Sequence, residues 1–163
     1  CNVSFAMKVV RNCKNPEVVN LLLASLQQFP EEQRNEVLAN VDNRNHNLAL
    51  YFAANCIDLT ELDQFRRLYP THEAELAMLQ HKNNPGETFA IALCLASNLE
   101  VIKSFLSRLK TFPPEERLEV LSACSSTGES VFATLKKQND PALFAVFYEC
   151  LEGMTDDQRR RCL

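Results

Sequence analysis

Three kinds of side chain in this sequence could do chemistry: histidines, cysteines and doubled carboxylates. The histidines are His46, His72 and His81, the cysteines Cys1, Cys13, Cys56, Cys94, Cys124, Cys150 and Cys162, and the doubled acids Glu31-Glu32, Glu115-Glu116 and Asp156-Asp157. A cysteine held beside a histidine becomes a thiolate nucleophile, which makes His81 with Cys94, or His46 with Cys56, the pairs to weigh. No third residue that would orient such a histidine is recognisable. The acids recur at the same place in successive segments, at helix starts, where carboxylates complement the helix dipole; a general acid and base would be needed once. With three glycines (Gly86, Gly128, Gly153) the chain builds neither a phosphate-binding loop nor a nucleophile elbow. The expectation is therefore a protein that is not an enzyme and uses no cofactor and no metal.

The cysteines are odd in number and include no Cys-x-x-Cys pair, so they suggest neither a disulfide ladder nor a zinc site. They read as reduced, half-buried small apolar residues, at no repeated position, in an intracellular protein. The histidines read as surface residues. A net charge of −4 argues against a nucleic-acid partner, and Arg159-Arg160-Arg161, the one basic run, reads as a solvated helix end. No apolar run approaches the roughly 20 residues a membrane span needs. Apolar residues make up 46% of the 163, enough for one packed domain. The chain begins with Cys1 and not Met, so a piece of a longer protein is expected.

The elements that must position these groups are helices. Alternation of period two is absent and apolar residues recur at three and four, as in Val18, Leu22, Leu26 and Phe29, or Val101, Phe105 and Leu109. The ten phenylalanines fall on such stripes and read as core. Ser4, Asn47, Thr88 and Ser130 are expected to cap one set of helices, and Asn15, Asp58, Asn98 and Asp140 to start a second. A third, short set starts at Pro30, Thr71, Pro113 and Thr155, the last with Gln158 at capping-box spacing.

These pieces repeat. The segment from Gly86 to Leu121 maps forward by 42 residues onto Gly128-Glu129-Ser130, Leu143-Phe144 and Phe147. It maps back by 83 onto Glu17-Val18-Val19, Leu22, Leu26 and Phe29-Pro30, and more loosely back by about 41 onto Asn45, Asn47, Leu48-Ala49 and Phe52. A fixed period of this size indicates units that bury their apolar faces against one another. The predicted units are 1–43, 44–84, 85–126 and 127–163, in a single domain over 1–163.

Gly86-x-Thr88, followed by Glu100-Val101-Ile102-Lys103-x-Phe105-Leu106, resembles the ankyrin repeat, with its Gly-x-Thr turn, small-residue inner helix and Glu-Val-Val-x-Leu-Leu outer helix. Gly128-x-Ser130 and Glu17-Val18-Val19-x-Leu21-Leu22 keep parts of the pattern. Departures are the missing Thr-Pro-Leu-His core, Asn98 in place of a glycine, and a period of 41–42 instead of 33. Elongated repeats of this style are similar to those in effector proteins of intracellular bacteria. The resemblance implies an all-α, right-handed helical-repeat solenoid with an extra short helix per unit; an armadillo- or HEAT-like array is the alternative. It also implies another protein as partner, held on the concave face, in the cytosol (of a host cell, for an effector). The residues it places there are Arg44, His46 and Asn55, then Asn84, Glu87 and Ala96, then Ser126, Glu129, Lys137 and Gln138. Two other readings stay open: a docking or regulatory segment of a larger effector, and an enzyme using a cysteine.

Overall fold

A computed structural model describes residues 4–163, which form twelve helices and no strand. The helices are α1 (Phe5–Asn12), α2 (Pro16–Gln27), α3 (Glu31–Ala39), α4 (Leu48–Ala53), α5 (Leu59–Arg66), α6 (His72–Gln80), α7 (Phe89–Ala96), α8 (Leu99–Leu109), α9 (Pro114–Leu121), α10 (Val131–Gln138), α11 (Pro141–Glu149) and α12 (Asp156–Cys162). All are short, and isolated helices of this length are marginal in water. Local capping and tertiary burial must therefore hold them.

The caps are where the polar residues predicted them. Ser4, Asn47, Thr88 and Ser130 each accept a backbone N–H at the start of α1, α4, α7 and α10. Asn15, Asp58, Asn98 and Asp140 do the same for α2, α5, α8 and α11. Thr71 caps α6, and Thr155 with Gln158 completes a reciprocal capping box on α12. At α3 and α9 the cap position is Pro30 or Pro113, which makes no side-chain bond. There the acids of the first turn face the positive end of the dipole instead.

With the exception of α3, which packs on α4, each helix packs on the third one along the chain. α1, α4, α7 and α10 form one row, α2, α5, α8 and α11 a second, and α6, α9 and α12 a third. Small residues in the first row (Ala49, Ala53, Ala90, all buried) let its helices approach closely. Aromatic rings join the rows: Phe65 of α5 stacks on Phe52 of α4 at 4.1 Å and on Phe89 of α7 at 5.7 Å. Phe89 in turn meets Phe105 of α8 at 5.9 Å. Such pairs add to the burial of large apolar surface. Polar ties run the same way. Arg66 donates to the Ser104 carbonyl at 3.3 Å, Arg108 pairs with the buried Glu75 at 2.7 Å, and Lys110 pairs with Glu149 at 3.0 Å.

Two expectations about apolar residues need correction. Eight phenylalanines are buried or half-buried, but Phe5 and Phe29 are exposed. Both lie in the first triplet, Phe5 in α1 and Phe29 in the turn between α2 and α3, and that triplet has neighbours on one side only. Nor are all the cysteines unrelated in position. Cys13 and Cys56 each stand two residues ahead of a cap, Asn15 and Asp58, and each thiol donates to that residue's carbonyl, at 3.7 and 3.5 Å. Cys56, Cys94, Cys150 and Cys162 are fully buried, Cys13 is half-buried and Cys124 is exposed; Cys1 lies outside the described residues.

Candidate functional site

The first row of helices is preceded by three turns of one design. Asp42, Asn83 and Ser125 each donate an amide to the carbonyl of the residue four further on, His46, Glu87 and Glu129. Each side chain then accepts an amide in return, from Arg44 and His46, from Glu87, and from Glu129. The third residue along in each turn has a left-handed backbone: Asn45 at φ 61°, Gly86 at 86° and Gly128 at 80°. Glycine adopts that region freely and asparagine tolerates it. Neighbouring turns are bonded directly, by the Asn84 amide to the Arg44 carbonyl at 2.9 Å and the Ser126 amide to the Pro85 carbonyl at 2.7 Å. The turns thus form a continuous edge beside the starts of α4, α7 and α10.

Side chains thicken that edge. Asn45 donates to the Lys82 carbonyl at 2.6 Å, and a ring nitrogen of His81 meets the Asn45 carbonyl at 2.8 Å. The Asn83 amide group reaches both Nε2 of His46, at 3.0 Å, and Glu87, at 2.7 Å. His46 also packs on the Tyr51 ring at 5.3 Å, and the Arg11 guanidinium lies over that ring, 5.7 Å from its centroid. His46 and His81 are therefore half-buried members of the turn network and not free surface residues, a correction to their sequence reading. His72 is exposed and pairs with Glu116 at 2.7 Å.

Between α4 and α7 this edge borders a cavity of about 230 Å³ lined by His46, Leu50, Tyr51, Ala54, Glu87, Ala92, Leu95 and Ala96. Three predicted contact residues, His46, Glu87 and Ala96, meet here. Asn55 and Ala96 border a second cavity of about 270 Å³, with Cys13, Cys56 and Ile57. Arg44, Asn84 and Ser126 are exposed on the turn edge. Glu129 and Lys137 pair with each other at 2.5 Å, and Gln138 reaches the Cys94 carbonyl at 3.4 Å. The ten residues are thus distributed over the two cavities, the turn edge, the Glu129–Lys137 pair and the contact of Gln138 with α7.

Some participants escaped the sequence reading. Asp42, Asn83 and Ser125 hold the turns, and their constant four-residue lead on His46, Glu87 and Glu129 was a usable signal. Tyr51 and the exposed Leu95 carried none, because helix periodicity alone assigns both to a packed face. Burial raises the Asp42 carboxyl, but hydrogen bonds from Tyr51 and from the His46 and Arg44 amides outweigh it and hold the group down at about 2. The same pair, with burial first, raises the Tyr51 hydroxyl.

Four of the six described thiols are placed for inertness. Burial pushes Cys56, Cys94 and Cys150 up to about 12, and Cys162 up to about 11. A thiol that high carries almost no thiolate at neutral pH. His46 and His81, the histidines considered as partners, spend their bonds on Asn83 and Asn45 instead. Among the described residues no group of three or more His, Cys, Asp or Glu is placed to hold a metal ion, and no helix is long and apolar enough to cross a membrane. Comparison with protein-family models, curated proteins and solved structures finds no significant match for this chain.

Proposed function

We propose that the chain is an elongated, ankyrin-like helical-repeat module that binds another protein along the face made by the turns and by α1, α4, α7 and α10. The observation that carries this reading is the groove between α4 and α7. Exposed apolar groups, Leu95 and Ala96, sit there beside the polar rim of His46 and Glu87. An apolar floor with a hydrogen-bonding rim is the composition of a protein-binding surface. The rim is held rigid by backbone and side-chain bonds within the turns, so little ordering would be lost on binding. Stacked units of this kind select partners by residue choice along such a face. The buried, high-pKa thiols support a role without covalent catalysis.

The test is capture from cell lysate with the parent chain and with a Leu95→Arg/Ala96→Glu variant whose circular dichroism and melting temperature match the parent. A stoichiometric partner held by the parent and lost by the variant supports the reading. Equal retention by both moves binding away from the groove and defeats it.

A further inference from the structure

The caps supply an internal register in which the first triplet differs from the later three. The residue after the first cap of each triplet is Phe5, Leu48, Phe89 or Val131; the last three are buried and Phe5 is 77% exposed. The third residue after the second cap is Val18, Glu61, Val101 or Leu143; again the last three are buried, and Val18 is 42% exposed. Ahead of the third helix stand Phe29, Tyr69, Phe112 and Met154, of which only Phe29, at 41%, is exposed. Leu21, at the register position of Gln64 and Ser104, is 68% exposed.

Several later-triplet residues at or near these positions show what covers them. Phe89 lies on Phe65 and Phe112 on His72, the latter pair 4.6 Å apart. Ser104 takes the Arg66 guanidinium, Gln64 takes the Gln27 amide at 3.0 Å, and Arg108 pairs with Glu75. Each covering residue belongs to the triplet that precedes its contact in the chain. The opposite end of this chain does not supply that chemistry. Where α6 has His72 and Glu75, α12 has Asp156 and Arg159, and Phe147, at the place of Phe65, is itself fully buried.

We propose that the outer face of α1–α3, marked by Phe5, Val18, Leu21 and Phe29, is a stacking surface for a further three-helix unit on the N-terminal side of Ser4 in the same polypeptide. That unit docks as α5 and α6 dock on α8 and α9, with an aromatic ring over Phe5 and hydrogen-bond donors toward Gln33 and Glu36, the register positions of Glu116 and Glu119. Large apolar side chains left exposed at positions that are buried in the later triplets call for a partner, and repeat arrays bury such faces between neighbours. The inference rests on the repeat reading but not on the groove, so loss of groove binding leaves it standing.

The test joins a copy of residues 43–87 directly to Ser4, so that the Asn83–Glu87 turn leads into α1 as it leads into α7. Phe5→Ser is then compared in this extended chain and in the 163-residue chain. The expected result is a single unfolding transition for the extended chain. Phe5→Ser should lower its folding constant at least tenfold while changing that of the shorter chain less than about threefold. A separate transition for the added unit, or an equally mild Phe5→Ser in both chains, overturns the proposal. So does a 163-residue chain that dimerises in sedimentation and reverts to monomer with Val18→Asp, because the occupant is then a second copy.

Discussion

The Tyr51 hydroxyl donates a 2.6 Å hydrogen bond to Oδ2 of Asp42, whose other oxygen accepts the Arg44 and His46 amides at 2.8 and 2.9 Å. One carboxylate thereby ties the first turn to helix α4. Its pKa, about 2 against an ordinary 3.8, is lowered in the folded state, so its stabilisation is complete above the unfolded value and fades as pH falls toward 2. Tyr51→Phe should move the Asp42 pKa upward and cost about 1 kcal/mol at pH 7, allowing for solvent screening. That cost should shrink by pH 2. Carboxyl-carbon NMR titration with urea melts at both pH values checks it; a cost independent of pH would mean that the hydroxyl does not serve the carboxylate.

Glu75 is buried, and Arg108 meets it with two nitrogens, at 2.7 and 3.3 Å. Removing the cation leaves a charge with poor access to water. Arg108→Ala should destabilise by about 2 kcal/mol, below the range for fully buried pairs because Arg108 is half-exposed. Adding Glu75→Gln should restore part of the loss. Strictly additive losses in the double-mutant cycle would show that the pair is not coupled.

Thiol accessibility divides the cysteines. In the native protein at pH 8, Cys124 should be modified first by a small disulfide reagent, since it alone of the six described cysteines is exposed. Cys56, Cys94 and Cys150 should react only at the rate of unfolding, because burial both shields them and suppresses the thiolate. Peptide mapping by mass spectrometry reads the order, and rapid labelling of Cys94 would contradict the packing around α7.

The turn glycines should differ from each other. Both have left-handed backbones, for which a β-carbon costs about 1–2 kcal/mol. At Gly86 the added carbon also meets the Cys124 carbonyl oxygen at 3.3 Å, whereas at Gly128 nothing lies within 4 Å. Gly86→Ala should therefore lower the melting temperature more than Gly128→Ala. The reverse order would mean that the contact between adjacent turns is looser than the structure has it.

The sequence by itself determined the helices and where they begin. Each cap is a local device: Asn98 or Ser130 needs only the backbone two or three residues onward to satisfy a free amide, so its role is written within a few positions of the chain. The turn at Gly86 and Gly128 was legible for the same reason. Tertiary structure decided what those helices face. Phe5 and Phe89 follow equivalent caps and carry the same side chain, yet one is exposed and the other lies against Phe65. Nothing local distinguishes them; what packs against each ring does. The groove is of the same kind, because His46, Tyr51, Glu87 and Leu95 are brought around one cavity by the packing of α4 on α7. Burial is a property of neighbours distant in sequence, and those neighbours are chosen only when the helices assemble.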